Sequence, residues 1–429
     1  MTQEQAEATP SPPVQASARL PRGSRTICLP IAEQEYEQTV EDPTAFRAWL
    51  EEHYRNTPEL FPTGFKQGYG LKDDRHSRKL AVRLRRIQLR DKTSYSIRPS
   101  FVIPYLCARS SEVDAGLFLR KFGVPFWALS QLYGRNPMFW YRLECGLGRA
   151  SIVGTTVRRQ PMPEHLLADE HHQKRDGLKT YLATTVAQGC VLGVEPSDSA
   201  DGPGLEAAYG VFRKEARQVE PDYSPQTVNT DGWSGTQVAW KALFPATVLI
   251  LCFLHAWLSI RDRAKHTGAI FVDLSRRIWE AYHAPTRRSF SQRLWHLRTF
   301  AQKNLTGIVL DKTLALCNKR DRFAVAYNKP GCHRTSNMLD RLMRGMNRYL
   351  FDGQHLHGSI QASRLHSRAW ALLWNYAPWS PASTRANGGW RCPAERFNQH
   401  RYHEHWLQNL LISASPGDFG GHCLQPQNP

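Results

Sequence analysis

The spacing of apolar residues changes character several times along the chain, and each change marks a predicted region. Residues 25–111 read as an N-terminal α+β region. It holds one predicted helix, Thr44 to Tyr54, followed by strands within 80–106. There Leu80-Ala81-Val82-Arg83-Leu84 alternates, and Phe101-Val102-Ile103 sits between prolines. Residues 112–150 turn to helical spacing. Val113 to Phe122 is helix-like, with Val113, Leu117, Phe118 and Leu119 apolar, and Gly123-Val124-Pro125 breaks it. Phe126 to Tyr133 forms a second helix closed by Gly134. Asn136-Pro137 opens a third that runs through Phe139, Trp140, Tyr141 and Leu143 to near Gly146. Three short helices with a glycine turn before the last have the outline of a helix-turn-helix, and equally that of an ordinary helical subdomain.

From Glu164 the pattern becomes α/β. Leu166-Leu167-Ala168-Asp169 reads as a short strand. Leu178 to Ala187 and Cys190 to Val194 form a hairpin turned at Gln188-Gly189. Leu205, Ala208, Tyr209, Phe212, Ala216 and Val219 recur at helical spacing. A strand, Thr227 to Thr230, then leads through Asp231-Gly232-Trp233 to a helix, Ser234 to Leu243, and an apolar strand, Ala246 to Phe253. The order βββαβαβ predicts a mixed sheet flanked by helices. It does not fit a doubly wound dinucleotide fold, and no G-x-G-x-x-G follows any strand. Residues 256–335 are mostly helical and basic, with Trp279, Trp295 and Phe300 as expected core anchors. Beyond Thr335-Ser336 a helix carries Leu339, Leu342, Met343, Met346 and Leu350 on one face, with Asp340 at its edge. Ile360 to Tyr376 is another helix, 381–400 a loop, Tyr402 to Ile412 a last helix, and Ser413 onward a tail. Residues 1–24, rich in Gln, Ala, Pro and Ser, are expected to be a disordered tail. The expected division is therefore 151–255 plus 336–380 as the α/β domain, 256–335 as an all-helical insertion, and 381–429 as a C-terminal segment.

Charge narrows the partner. The chain of 429 residues carries 56 Lys+Arg against 38 Asp+Glu, a net +18, and the cations cluster. One cluster runs from Lys72 to Lys92, one from Arg261 to Arg288, and one from Lys319 to Arg348; aromatic residues interleave with the second. This favours a nucleic acid over a membrane. Nine scattered cysteines without a C-x-x-C pair argue for reduced thiols. The longest apolar run, around Leu243 to Leu258, is too short to span a bilayer. A soluble, cytoplasmic protein associated with the nucleoid is expected.

The candidate chemistry lies in acids at strand ends. Hydrolysing or transferring a phosphodiester requires an activated oxygen nucleophile and a stabilised leaving oxyanion, and two hard divalent cations supply both. Such cations take carboxylate oxygens, and crowded carboxylates repel unless a metal neutralises them. Asp169 and Asp231 are 231 − 169 = 62 residues apart, room for the intervening hairpin, helix and strand. Their strands are expected to be sheet neighbours, and a third acid must come from a helix crossing that edge. Trp233 and Cys252-x-x-His255 flank the second acid.

This order, with Asp231-Gly232, Cys252-x-x-His255, a helical insertion and then Thr335-Ser336-Asn337-Met338-Leu339-Asp340-Arg341, resembles the RNase H-like transposases of bacterial insertion sequences, in particular the Mutator-like branch. The resemblance covers Glu164 to about Tyr349. It implies that Asp169, Asp231 and Asp340 hold two Mg²⁺ ions, with Mn²⁺ as a substitute. The implied activity is cleavage of transposon ends and joining of the freed 3′-hydroxyl to target DNA, without a covalent protein–DNA intermediate. The family motif reads Thr-x-Asn-x-x-Glu-Arg, and this chain departs from it by placing Asp340, one methylene shorter, where the family has Glu. The resemblance also implies that 256–335 engages transposon ends, that 112–150 helps read them, and that the assembled complex is at least a homodimer. The residues expected to contact DNA are Arg261, Arg263, Lys265, Arg276, Arg277, Arg334, Arg341 and Arg344; Cys252, His255 and Trp233 are expected beside the site.

Each assignment has a plainer alternative. Asp340 could form a surface pair with Arg344. Asp169 could be a turn residue and Glu170 the ligand. Cys252 and His255 could bind zinc with Cys332 and His333. His171-His172 reads as a strand exit, Trp370, Trp374 and Trp379 as core, and Glu195, Asp198, Asp201, Glu215 and Asp311 as surface acids. An inactive DNA-binding scaffold and a purely hydrolytic nuclease remain alternatives to the transposase.

Overall fold

The N-terminal region builds a sheet of its own. In the computed structural model, which describes residues 25–104, 106–266, 268–352 and 356–415, strands β1 (Thr26–Leu29), β2 (Tyr69–Ser77), β3 (Val82–Leu89) and β4 (Ser94–Pro99) lie in the order β1-β4-β3-β2. The expected tail 1–24 lies outside the described residues, as does the end of the C-terminal one. Helices α1 (Glu33–Glu41) and α2 (Pro43–Asn56) bring Tyr36, Val40, Phe46 and Leu50 into one core with Ile27, Ile87 and Ile97. Asp42 caps α2 by accepting from Thr44 N, and Pro43 takes the first helical position, where no N–H is needed. The alternating strand read from Leu80 is displaced. Leu80 and Ala81 belong to the β2–β3 turn, where Ala81 has φ +53°, and the strand starts at Val82. Phe101-Val102-Ile103 is buried but makes only one bridge, Val102 to Arg109. Pro99 and Pro104 offer no ladder donors on either side of it.

Helices α3 (Ser110–Arg120), α4 (Phe126–Tyr133) and α5 (Pro137–Leu147) follow where their spacing and breakers place them, and a short α6 (Ile152–Thr156) leads to the second sheet. That sheet holds β5 (His165–Arg175), β6 (Leu178–Ala187), β7 (Cys190–Ser197), β8 (Thr227–Thr230) and β9 (Val248–Leu251) in the order β7-β6-β5-β8-β9. The first three strands are antiparallel; β8 runs parallel to β5, and β9 parallel to β8. With α7 (Gly202–Val219) and α8 (Ser234–Leu243) between the later strands, the expected βββαβαβ order is present in a mixed α/β fold. β5 outruns its predicted end at Asp169 because Asp176-Gly177, both at positive φ, makes a two-residue turn that pairs Arg175 with Leu178. His171 and His172 therefore lie inside a strand rather than at its exit.

The two faces of this sheet bury different partners. Leu166, Ala168 and Val228 pack with Tyr209, Phe212, Trp240 and Phe244 of α7 and α8. Leu167, Leu182, Val186 and Val194 pack against α14 (Asn337–Asp352) and α15 (Ile360–Tyr376), reached after the helical insertion. The insertion comprises α9 (Phe253–Ala264), α10 (Ala269–Tyr282), α11 (Arg287–Asn304), α12 (Gly307–Asn318) and α13 (Arg320–Ala324), and it has a core of its own. Trp279 and Phe300 pack against that core, but Trp295 does not: it is 62% exposed. The buried stripe of α11 is Phe290, Leu294, Leu297 and Ala301, and Trp295 falls one position off it. Residues 381–400, expected as a loop, include α16 (Pro381–Ala386) and α17 (Pro393–Asn398). The last helix, α18 (Trp406–Ser413), returns Leu407, Leu410, Leu411 and Ile412 to the N-terminal core.

Two of the acids expected at the surface are buried. Glu195 of β7 and Glu215 of α7 are 2% and 4% exposed, and Arg368 of α15 lies between them. Arg364 also binds Glu195, 2.6 Å away, and Ser151 Oγ and Val153 N donate to Glu215. Asp198 pairs with Arg175, Asp201 caps α7, and Asp311 is exposed. A second buried cluster joins α3, α5, α14 and α15. There Glu144 accepts from Arg120 and from the Tyr349 hydroxyl, and His366 lies 3.0 Å away. Trp370 is buried in the core beside α14 and Trp374 packs against it, whereas Trp379 is half-buried under Arg396, outside the core clusters of the described residues.

Removing one member of a buried ion cluster strands the others without solvent. Arg368→Ala is expected to lower stability in urea unfolding by about 3–5 kcal/mol. Arg135→Ala, which breaks an exposed pair with Glu112, is expected to change it by under about 1 kcal/mol.

Candidate functional site

Strand register decides which acid of the pair 169–170 faces which layer. Glu170 points to the α7–α8 face, where its carboxylate accepts the Tyr209 hydroxyl at 2.6 Å and the Thr236 hydroxyl at 2.8 Å. Asp169 turns to the α14 face, and its Oδ1 accepts from Glu170 N at 2.8 Å. The β5–β8 pairing ends at Leu167 and Asn229, so Asp169 stands just beyond the end of β8 although β5 itself continues. Asp231 follows β8 directly, and its Oδ1 accepts from Trp233 N at 2.7 Å, which closes a turn. Gly232 in that turn has φ +101°, where an L side chain is strained, and a Cβ there would come within 2.6 Å of Leu251 Cδ1 and push it aside, so the turn favours glycine.

The other members arrive from helix starts. His255 lies in the first turn of α9 and Asp340 in the first turn of α14. One side-chain donor atom each from Asp169, His255 and Asp340 lies within 4.8 Å of the other two. Of the three expected acids, the structure thus brings Asp169 and Asp340 together and adds His255. Asp231 is outside that tight group but near enough for its charge to act on Asp169. No ion pair joins Asp340 to Arg344 among the described residues; Asp340 Oδ2 accepts the Ser336 hydroxyl at 3.1 Å instead.

A set of short hydrogen bonds holds the entry and exit of the insertion side by side. Cys252 N donates to Thr230 O at 2.8 Å, Phe253 N to Arg334 O at 3.0 Å, and Asn229 Nδ2 to His333 O at 2.9 Å. The Cys252 thiol donates to Ser336 Oγ at 3.4 Å and accepts from Ser336 N at 3.3 Å. The thiol, Ser336 and Asp340 therefore form one chain, which orients the third acid. Cys252, His255, Cys332 and His333 do not gather as a zinc site: among the described residues the one group of metal-binding size is Asp169, His255 and Asp340, and the Cys332 thiol donates to Ala326 O.

Electrostatics mark the same spot. Burial pushes Asp169 up to about 7, the charges of Asp231 and Glu170 add to this, and His255 opposes it. His255 is raised to about 9, first by hydrogen bonding with the Cys252 side chain and then, against its burial, by the charges of Asp169 and Asp340. Glu170 is raised by burial and held back by Tyr209 and Thr236. At the same edge His255 Nδ1 and Asn229 Oδ1 are buried without a hydrogen-bond partner. Two crowded carboxylates, an imidazole and unsatisfied polar atoms are a donor set that suits a divalent cation of the Mn²⁺ or Mg²⁺ type.

The cations expected on DNA divide by what they already hold. Arg261 pairs with Asp262, Arg263 donates to Ser259 O, and Arg276 and Arg277 share Asp273. Arg334 donates to the Tyr327 hydroxyl and lies over the Tyr282 and Tyr327 rings, inside the insertion's root. Lys265, Arg341 and Arg344 are exposed. Trp233 is 52% exposed beside Asp231, and its Nε1 donates to Ala200 O. Sequence reasoning placed His255 beside the site rather than in it. The available signal was its spacing from Cys252 at a strand end, which brings the imidazole back over the sheet edge within one helical turn. No protein-family model and no curated protein matches the sequence.

Because Asp169 is raised from its ordinary 3.8 to about 7, the folded chain keeps a proton that the unfolded chain has released. Stability is therefore lost as pH rises between these values. In EDTA, Asp169→Asn is expected to be more stable than the parent at pH 8 by about 1–3 kcal/mol, with the gain vanishing towards pH 4. Thermal melts across that range measure it; a variant less stable than the parent at pH 8 contradicts this electrostatic picture.

Proposed function

We propose that this chain is a metal-dependent DNA strand transferase of the transposase class, built on an RNase H-like sheet. The observation that carries the reading is the meeting of Asp169, His255 and Asp340 at the edge where β8 ends, with Asp231 acting on Asp169 from the neighbouring strand. The strand order β7-β6-β5-β8-β9, antiparallel then parallel, supports the same reading, as does the helical excursion between the second and third acids.

In this reading Asp169, His255 and Asp340 hold one divalent cation, and Asp231 with Asp169 provides for a second. Such cations, when bound, activate an oxygen nucleophile and stabilise a leaving oxyanion. The residues of the chain do the rest. The chain from Cys252 through Ser336 fixes the carboxylate of Asp340. Glu170 braces the β5 backbone by its hold on Tyr209 and Thr236. Lys265, at the C-terminal end of α9, and Arg341 and Arg344 of α14 are exposed, form no ion pair among the described residues, and supply phosphate contacts that position a duplex. The α3–α5 segment would serve as a helix-turn-helix, and two copies of the chain would pair two DNA ends.

Isothermal titration with Mn²⁺ is expected to show carboxylate-dependent binding, and Asp169→Asn or Asp340→Asn should weaken it by at least about 10–100-fold. Plasmid carrying the DNA that flanks the coding region should be nicked in Mn²⁺, and pre-cut ends should be joined; both activities should be lost in Asp231→Asn. Mn²⁺ binding that ignores all three acids would overturn the proposal, while nicking without joining would reduce it to a hydrolytic nuclease.

A further inference from the structure

We infer that the β2–β3 ribbon of the N-terminal sheet is a docking element for duplex DNA, gripping phosphates independently of the metal-binding residues. The inference rests on the reading of this chain as a DNA-acting protein and assigns it a second DNA-binding surface.

Residues 69–92 carry nine Lys/Arg against three Asp. The fold sorts these cations into two sets. Arg83 and Arg86 pair with Asp74 and Asp73, and Arg85 donates to Val40 O and Glu41 O and lies over the Phe46 ring. Those three fasten the ribbon to itself and to α1. Asp91 is taken up by Thr93 N. The rest are free of such duties. Arg75, Arg78, Lys79, Arg90 and Lys92 are exposed, and none of them forms an ion pair among the described residues; Lys72 reaches only the Ser94 hydroxyl. Arg78 and Lys79 sit at one end of the ribbon and Arg90 and Lys92 at the other, about 25–30 Å away for strands of this length.

Three further observations favour a duplex as the occupant. First, charge changes sign along this part of the sequence: residues 25–60 carry eight acids against three Lys/Arg, and 69–92 nine Lys/Arg against three Asp, two of which are taken up by Arg83 and Arg86. Second, the ribbon is rigidly presented, because Ile87 and Leu89 of β3 are buried while β2, the edge strand, is exposed along most of its length. β3 pairs with β4 only over residues 86–88, so its 82–85 stretch and the facing part of β2 project as a two-stranded end, and such an end fits a major groove about 12 Å wide. Third, none of the large exposed apolar side chains falls within 69–92, so the ribbon lacks the apolar anchors that strengthen membrane-surface binding. The register shift between Leu71 and Asp73 and the charged edge also disfavour pairing with another strand.

The test is fluorescence anisotropy of the full chain with a random-sequence 20-base-pair duplex in EDTA, across a salt series. Replacing Arg75, Arg78, Lys79, Arg90 and Lys92 together by Ala changes only exposed side chains; circular dichroism checks that the variant is folded. Affinity at 100 mM salt is expected to fall at least about 10-fold, and the log–log salt slope to shrink by about 3–4, near 0.9 for each phosphate no longer neutralised. Unchanged affinity and slope in a folded variant would overturn the inference. So would a defect confined to phosphatidylserine vesicles, which would identify a membrane surface instead. EDTA removes any metal contribution, so this readout stands or falls apart from the Mn²⁺ titration.

Discussion

The candidate site depends on one constraint: the two ends of the helical insertion are sewn to each other at the tip of the α/β sheet. Phe253 N bonds Arg334 O, and Cys252 exchanges hydrogen bonds with Ser336. Without this seam, Asp340 would hang at the end of a long excursion, free to lie anywhere. With it, the first turns of α9 and α14 begin side by side, and His255 and Asp340 meet Asp169 at the end of β8. The seam consists of backbone bonds and one buried thiol, so it is enforced by the cost of leaving buried polar groups unpaired.

The electrostatic character of the site follows from that geometry. Asp169 is driven towards neutrality by burial and by Asp231 and Glu170, while His255 is driven towards its charged form by the Cys252 thiol and the two acids. The raised Asp169 opposes folding as pH rises, while the raised His255 favours it below about pH 9; the two buried ion clusters elsewhere are built differently. In those, Arg368 answers Glu195 and Glu215, and Arg120 answers Glu144. The chain thus answers each buried acid of those clusters with arginine, whereas at this site one imidazole faces several acids, an imbalance that perturbs titration as functional sites do.

The Arg120–Glu144–Tyr349 cluster also bears on architecture. It ties α3 and α5, the segment with a helix-turn-helix outline, directly to α14, nine residues along from Asp340. The N-terminal core continues through Ala369, Leu372 and Leu373 of α15 to Leu410 and Ile412 of α18. A helix that reads as part of a separate segment in the sequence is therefore mechanically joined to the helix that carries the third acid.

Local order was legible wherever one rule governed a run of residues. Period and breakers located α4, α5, α8 and α15, and the βββαβαβ sequence of elements needed no tertiary information. Asp231-Gly232 was readable as a special turn, and Asp169 as an acid near a sheet edge. The structure alone decided which side chains share a face or a partner. Glu195 and Glu215 look like surface acids until Arg368, more than 150 residues away, is seen between them. Trp295 looks like a core anchor until the stripe of α11 is placed one position aside. His255 is one histidine among 17 until the seam sets it against Asp169 and Asp340. Periodicity and turn chemistry act between near neighbours, so a sequence displays them; burial, charge pairing and convergence are sums over residues that only the folded chain brings together.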